Sequence, residues 1–345
     1  MKSLAIVLVY YGDYALLHFE ACYSTLRDQL RPSDRLYLVD NGASEKSKRL
    51  VRQEAPDAVH LDNGGNKGWA SANNLAIRDA LLHGCDAVIL LNMDTTLDRG
   101  WLKALIEASE TRPETHIFQS KILLHGTDRI NSAGNRIHYL GYGFCNGYGL
   151  PKESTATWRM DFTSGVSMLV KKEVFETVGL FREEYFLYYD DLEFCWRARL
   201  AGFRIGIAEK SVCHHKYDFK SKLHFLYYLE RNRLVTLLTL ERRLTLALIA
   251  PLLILSQIFC AVYFCIRGHA LAEWRLLSYF AKAGTWRYIR ERRRQVRKLR
   301  RVQDSEVVKH FAGKIVFAEI KHPVLSWILN PVLRIYWKMA KQFIV

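Results

Sequence analysis

Two adjacent carboxylates, Asp190 and Asp191, follow the aromatic run Tyr185-Phe-Leu-Tyr-Tyr189 and open a stretch of helical periodicity. An Asp at a helix start ordinarily caps exposed N–H groups, which accounts for one of the pair. The other, in an aromatic and partly desolvated setting, suits general-base chemistry, because desolvation raises a carboxyl pKa. Asp94 closes the apolar run Ala87–Leu91 within Asn92-Met-Asp-Thr95. A carboxylate there is costly unless it is paired, solvated or bound to a cation. Two readings stand: a hard divalent ion bridging Asp94 to a diphosphate, or an N-cap for the next helix, which Thr95, Thr96 or Asp98 would supply equally well. Asp40 ends another apolar run and precedes Asn-Gly-Ala-Ser44. It is either a turn residue or an acceptor for a base or ribose. In Gly64-Gly-Asn-Lys-Gly-Trp-Ala-Ser-Ala-Asn-Asn74, glycines let backbone approach a ligand, and the helix that follows turns N–H groups and a positive dipole end toward a phosphate. One imidazole of His214-His215 is within reach of a metal or a phosphate; an isolated pair is otherwise unremarkable.

These residues need a scaffold, and the hydrophobic pattern supplies one. Leu4–Tyr10, Arg35–Asp40, Ala58–Asp62 and Ala87–Leu91 read as strands, with helical periodicity near 15–30, 45–54, 69–83 and 99–110. Such alternation implies an α/β, mostly parallel sheet covered by helices on both faces, with its ligand site beyond the C-terminal strand ends. Residues 112–160, rich in Gly, Tyr and Asn, read as an excursion over the site. Phe162–Val170 resumes structure, followed by helices at Lys172–Val178 and Asp190–Ala201 and a strand at Ile205–Ala208.

Charge separates the last third from the rest. Residues 1–240 hold 30 basic and 29 acidic side chains, residues 241–345 hold 20 and 6. A near-neutral body with a basic appendage fits an anionic membrane surface and argues against a diffusely basic nucleic-acid binder. The expected domains are therefore 1–240 and 241–345. Residues 244–266 carry no charge and are long enough for a helix that crosses a bilayer, yet the segment from Trp286 to Arg301 with nine basic residues would then lie opposite the body, against the positive-inside tendency. A re-entrant or interfacial helix is the favoured expectation. Seven cysteines without a CxxC pair point to a reducing compartment, and the run Leu4–Tyr11 is too short for a signal peptide.

The order Asp40-Asn-x-x-Ser, Asn66-x-Gly-x-x-x-x-Asn-Asn74, Asn92-x-Asp94, Gly165-Val-Ser-Met, Phe186-Leu-Tyr-Tyr-Asp-Asp191-Leu-Glu-Phe-Cys-Trp-Arg197, His214 and Arg231-Asn232 resembles the family 2 inverting glycosyltransferases of GT-A fold (Rossmann-like), in their rhamnosyltransferase-like branch. The resemblance covers residues 4 to about 235. It implies a donor site of Tyr10, Asp40, Asn66, Gly68, Asn73, Asn74, Asn92 and Asp94, with Asp191 as base and Asp190, Gly165 and Arg231 supporting it or the acceptor. It further implies Mg²⁺ or Mn²⁺ on Asp94, with His214 as a further ligand. The implied reaction moves a sugar, rhamnose favoured, from a dTDP- or UDP-linked donor to a lipid-linked or glycan acceptor in cell-envelope polysaccharide synthesis. The place would be the cytoplasmic face of the inner membrane, with peripheral, monotopic or single-span attachment. Galactofuranose, glucose or N-acetylhexosamine transfer, or a non-catalytic nucleotide-sugar-binding membrane protein, are the alternatives. Asp190 stands where the family usually has Glu, and Met93 where this branch often has Pro.

Overall fold

A computed structural model describes residues 1–154, 159–217, 225–316, 323 and 325–345. The chain divides into two compact units: one of 1–135, 145–198 and 203–217, the other of 136–144, 199–202 and 218–345.

The first unit is built on one sheet. β1 (Leu4–Gly12), β2 (Arg35–Ala43), β3 (Val59–Asp62) and β4 (Ala87–Leu91) pair in parallel in the order β3-β2-β1-β4. Their apolar residues alternate between faces. Leu4, Ile6 and Leu8 join Phe19, Cys22 and Leu26 of α1 (Tyr14–Leu26) and Trp101 and Leu105 of α4 (Trp101–Thr111). On the other face, α3 (Trp69–Leu82) packs on β1 and β2 with a row of small residues, Ala72, Ala76 and Ala80. α2 (Glu45–Glu54) begins at Ser44, whose hydroxyl accepts from the Ser47 N–H as an N-cap.

Beyond β4 the sheet becomes mixed. β5 (Thr95–Leu97), β6 (Ile117–Leu124) and β10 (Ser167–Lys171) with β11 (Ile205–His215) continue it as β10-β6-β11-β5, and β7 (Ile130–Ser132) pairs β6. β10 runs antiparallel to both β4 and β6. The expected excursion at 112–160 therefore opens with a central strand. Gln119 and Ser120 hide it from a search for apolar runs, because both are buried polar residues satisfied inside the fold. Gln119 donates to Ser132 and accepts from the Ser164 N–H. Ser120, Ser167 and Ser211 bond one another and the Trp101 indole, tying three strands to α4. β8 (Asn135–Ile137) and β9 (Gly143–Cys145) form a separate hairpin.

After α5 (Lys172–Val178), α6 (Asp190–Leu200) buries an ion pair. Glu193 takes two 2.8 Å bonds from Arg197, whose guanidinium also holds the Val178 and Leu180 carbonyls. Burial alone would raise the Glu193 carboxyl; Arg197 and Arg182 outweigh it and hold it below the usual carboxylate range.

The second unit is helical: α7 (Leu226–Leu240), α8 (Arg243–Ile266), α9 (Ala270–Ala281), α10 (Ala283–Leu299), α11 (Asp304–Val307) and α12 (Asn330–Ala340). Arg233 is buried between Glu230, the Leu140 carbonyl, Gln257 and the Tyr142 ring. By length and composition α8 is apolar enough to cross a membrane, with a mean hydropathy of 2.3.

Replacing Glu193 by Ala strands a buried guanidinium, so Glu193→Ala should lower stability by about 3–5 kcal/mol. Urea unfolding at constant slope measures this; a loss below about 1 kcal/mol would show that solvent reaches Arg197.

Candidate active site

The polar endings of β2, β3 and β4 lie on one sheet edge. At the end of β2, the Asp40 carboxylate accepts from the Ala43 N–H at 2.7 Å and lies 3.3 Å from the Lys48 ammonium. The turn geometry is thus present, with Oδ2 directed to a cation. Asn41 next to it is the hub of the 63–68 loop. Its NH₂ group donates to the Asn66 side-chain oxygen and the Gly68 carbonyl, and its oxygen accepts from the Asn63 side chain and the Lys67 N–H. Asn66 in turn accepts from the Gly68 N–H. The loop is shaped by side chains, which leaves it a fixed surface beside Asp40.

This loop meets the segment leading to α6 at van der Waals limit. Gly68 has φ +91°, and a Cβ there would lie 2.3 Å from the Phe186 carbonyl oxygen. That same oxygen accepts from the Trp69 N–H. Phe186 is the centre of a tight turn closed by a 2.7 Å bond from the Leu187 N–H to the Tyr185 carbonyl, and Phe186, Tyr188 and Tyr189 all have positive φ. Consecutive left-handed aromatic residues store strain next to the acidic pair.

Trp69 completes the connection. Its six-membered ring leaves no room for a Cβ on Gly165, and its indole N–H reaches the Asn92 side-chain oxygen at 3.3 Å. The Gly165 N–H donates to Asp191 at 3.0 Å, and the Leu192 N–H donates to its other oxygen at 2.8 Å. A continuous chain of contacts therefore runs from Asp191 through Gly165 and Trp69 to Asn92, two residues before Asp94. Asp190 is buried, whereas Asp191 keeps part of its surface in solvent.

Asp94 lies in a basin of titratable side chains. Its Oδ2 is 3.2 Å from His215 Nε2, and its Oδ1 is buried with no hydrogen-bond partner among the described residues. Burial would raise this carboxyl; His215 and Tyr14 counter that and hold it below its usual value. The Tyr14 hydroxyl is pushed far up, by burial first and by Asp94 second. Tyr11 stacks on Tyr14, whose other neighbour, His18, has Nδ1 3.5 Å from the Lys216 ammonium. Asn131 fixes the His215 ring, with its side-chain oxygen 3.1 Å from Nδ1. Asn131 and Asp94 thus engage both ring nitrogens of His215 and set the orientation of its imidazole. With a vacant Oδ1 alongside, the set fits a divalent ion that keeps open positions for diphosphate oxygens. No group of three or more His, Cys, Asp or Glu side chains placed to hold a metal ion occurs among the described residues.

Several expected site residues have other tasks. His214 is not beside Asp94: it bonds Asp98 at 2.9 Å, because β11 runs through to His215 after a bulge between Ala208 and Val212, and neighbouring strand residues face opposite sides. Tyr10 is buried next to Asp40, with its hydroxyl pushed up to about 12 by burial and then by that carboxylate. Tyr11, one residue on, is the solvent-facing ring. Asn73 donates to the Trp69 carbonyl within its own helix, and Asn74 clasps both backbone groups of Phe181, which braces the fold. Arg231 belongs to the helical unit, where it stacks on Tyr227, Tyr228 and Tyr279. Sequence reasoning missed Trp69, Tyr14, His18 and Lys216 as neighbours of the site. It stopped the last strand at Ala208, and with the strand extended, alternation separates His215 from His214.

Comparison with known proteins agrees with this geometry. Residues 6–179 match Glycosyl transferase family 2. The low-salt glycan biosynthesis hexosyltransferase Agl10 of Haloferax volcanii is 25% identical over 207 residues, 60% of this chain and 64% of that protein. The dTDP-rhamnosyl transferase RfbF of Shigella flexneri is 26% identical over 63% of this chain and 70% of its own, and the N-acetylglucosaminyl-diphospho-decaprenol L-rhamnosyltransferase of Mycobacterium tuberculosis 25% over 58% and 72%. Among solved structures, GalNAc-T7 with UDP, GalNAc and Mn²⁺ superposes with a TM-score of 0.54 at 13% identity, covering 68% of this chain and 48% of that one. The mannosyltransferase PcManGT of Pyrobaculum calidifontis gives 0.50 at 13% identity over 99% and 87%. Matching half the chain on a GT-A fold whose strand endings carry Asp40 and Asp94, the family model identifies the chain as a member of glycosyltransferase family 2.

Proposed function

We propose that the protein is an inverting glycosyltransferase in which Asp191 is the base. The contact chain from Asp191 through Gly165 and Trp69 to Asn92 carries this reading, because it sets a part-exposed carboxylate and the Asp94 basin on one rigid frame. The Asn66–Gly68 loop and Asp40 hold the nucleotide of the donor, with backbone N–H groups at the start of α3 facing it. Lys216, next to His18 and bonded through its backbone N–H to the Asp94 carbonyl, adds positive charge beside Asp94, where the diphosphate would lie. Asp191, oriented by two backbone N–H groups, accepts the proton of the acceptor hydroxyl as that oxygen attacks the anomeric carbon, and the bond to the diphosphate breaks on the opposite face. A Mg²⁺ or Mn²⁺ ion, held by Asp94 and His215, would offset the charge on the departing nucleoside diphosphate. Removing the acceptor proton as the new bond forms, in one displacement, inverts the anomeric configuration.

Rhamnose from a dTDP-linked donor is the favoured cargo, since two of the similar proteins are named as rhamnosyltransferases. A UDP-linked hexose is the second reading, supported by the hexosyltransferase relative. The acceptor is a lipid-linked glycan, as the name of the mycobacterial relative has it, in cell-envelope polysaccharide assembly. The chain acts from the cytoplasmic face of the membrane, with the residues from 241 onward as the membrane-associating part.

Asp191→Asn should cut transfer by at least about a hundredfold while donor binding by calorimetry stays within about twofold. Turnover near wild type would remove Asp191 as base. For the metal, His215→Ala should weaken Mn²⁺ binding by about tenfold or more, whereas His214→Ala should leave it unchanged. Calorimetric titration with Mn²⁺ alone decides, and the reverse ranking would return the ligand role to His214.

A further inference from the structure

The helical unit shows how its own apolar surface is used. α8 has two unlike faces. Ile254, Leu255, Ile258, Phe259, Val262 and Ile266 recur at intervals of three and four along one side, each more than half exposed. The other side carries Gln257, 2.6 Å from the guanidinium of Arg233 on α7, and Thr245, which donates to Asp304 at 2.7 Å. α9 and α12 repeat the pattern. Leu271, Trp274 and Leu277 are exposed on α9, while Ile328, Val332, Ile335 and Met339 are spaced four, three and four residues apart on α12 and its preceding turn, flanked by exposed Arg334 and Lys338. α10 turns a different stripe outward, with exposed Arg287, Arg290, Arg294 and Arg297 recurring at three and four residues.

Whether α8 crosses a bilayer is answered by where the chain goes next. α9 and α10 both pack on α7, the helix that precedes α8. Arg293 and Arg300 bond the Leu238 and Leu240 carbonyls at the end of α7, and Asp304 accepts from the Arg242 N–H and the Thr245 hydroxyl, capping the start of α8. The chain has therefore returned to the N-terminal end of α8 by residue 304. No second crossing brings it there: α9 has 12 residues, and α10 carries seven basic residues, Arg287, Arg290, Arg292, Arg293, Arg294, Arg297 and Lys298. A single span would also carry Gln257, and with it the buried Arg233–Glu230 pair, toward the hydrocarbon midplane.

We infer that the helical unit is monotopic: α8 lies in the plane of one leaflet with its exposed apolar face in the acyl region, α9 and α12 add their apolar faces, and the arginine stripe of α10 binds anionic headgroups. The occupant is a lipid surface, because apolar stripes edged by cations and a segment with 20 basic against 6 acidic residues complement anionic phospholipid, whereas a second copy of the same chain would set like charges together.

The test uses the full chain. With Lys46→Cys and Gln295→Cys introduced separately, sealed membrane vesicles are treated with an impermeant maleimide and the labelled peptides read by mass. Both positions should label from the same side; labelling from opposite sides would overturn the monotopic arrangement in favour of a span. Co-sedimentation then uses phosphatidylcholine vesicles with and without phosphatidylglycerol. Wild type should bind the anionic vesicles at least about tenfold better, and the combined replacement of Arg287, Arg290, Arg294 and Arg297 by Gln should erase that preference. Equal binding to both vesicles would remove the electrostatic part. A soluble dimer that ignores either vesicle would replace the lipid by a second copy.

Discussion

Gly68 and Phe186 come together more closely than any residue with a Cβ allows, and the catalytic frame is organised around that approach. It joins the loop after β3 to the turn before α6, so the surface expected to hold a nucleotide and the helix that carries Asp191 cannot move independently. The turn it demands is strained: three aromatic residues at positive φ, at about 1–3 kcal/mol each. The surroundings over-determine it. Asn74 clasps the Phe181 backbone, Arg197 holds the Val178 and Leu180 carbonyls, and Trp69 fills the space above Gly165. Asn74, which read from the sequence as a donor contact, takes part in this bracing.

A second constraint operates across the sheet. The bulge between Ala208 and Val212 sets the face on which each residue at the end of β11 emerges. It sends His214 to Asp98 at the surface and His215 to Asp94, where Asn131 fixes the imidazole. The Asp94 carboxylate is thus joined by an imidazole from a strand more than a hundred residues later.

The parallel half of the sheet was legible because its strands are apolar on both faces and their polar endings stand out. Asp40 and Asp94 followed from that pattern, whereas Asp191 came from the acidic pair behind an aromatic run and from the family resemblance. The mixed half was not, since β6 buries Gln119 and Ser120, and hydrogen bonds to Ser132, Ser164 and Ser167 that only the fold supplies make those positions interior. Choosing between His214 and His215 required a strand register, and an exposed Glu209-Lys210 pair concealed the continuation of the strand. The role of Trp69 lay in a contact with Gly165, ninety-six residues away, of which a single sequence carries no trace.

β10 sits between β4 and β6 although it comes after both in the chain. Until residue 171 has been synthesised, β4 and β6 have no shared neighbour, and each presents an unpaired edge with apolar faces. Joining them closes a long loop for few local contacts, which makes sheet completion a slow, late event in folding and leaves the nascent chain open to edge-to-edge association during translation. The buried serines at 120, 167 and 211 add a register lock to that last insertion, because a strand shifted by one residue would turn all of its hydroxyl partners to the wrong face.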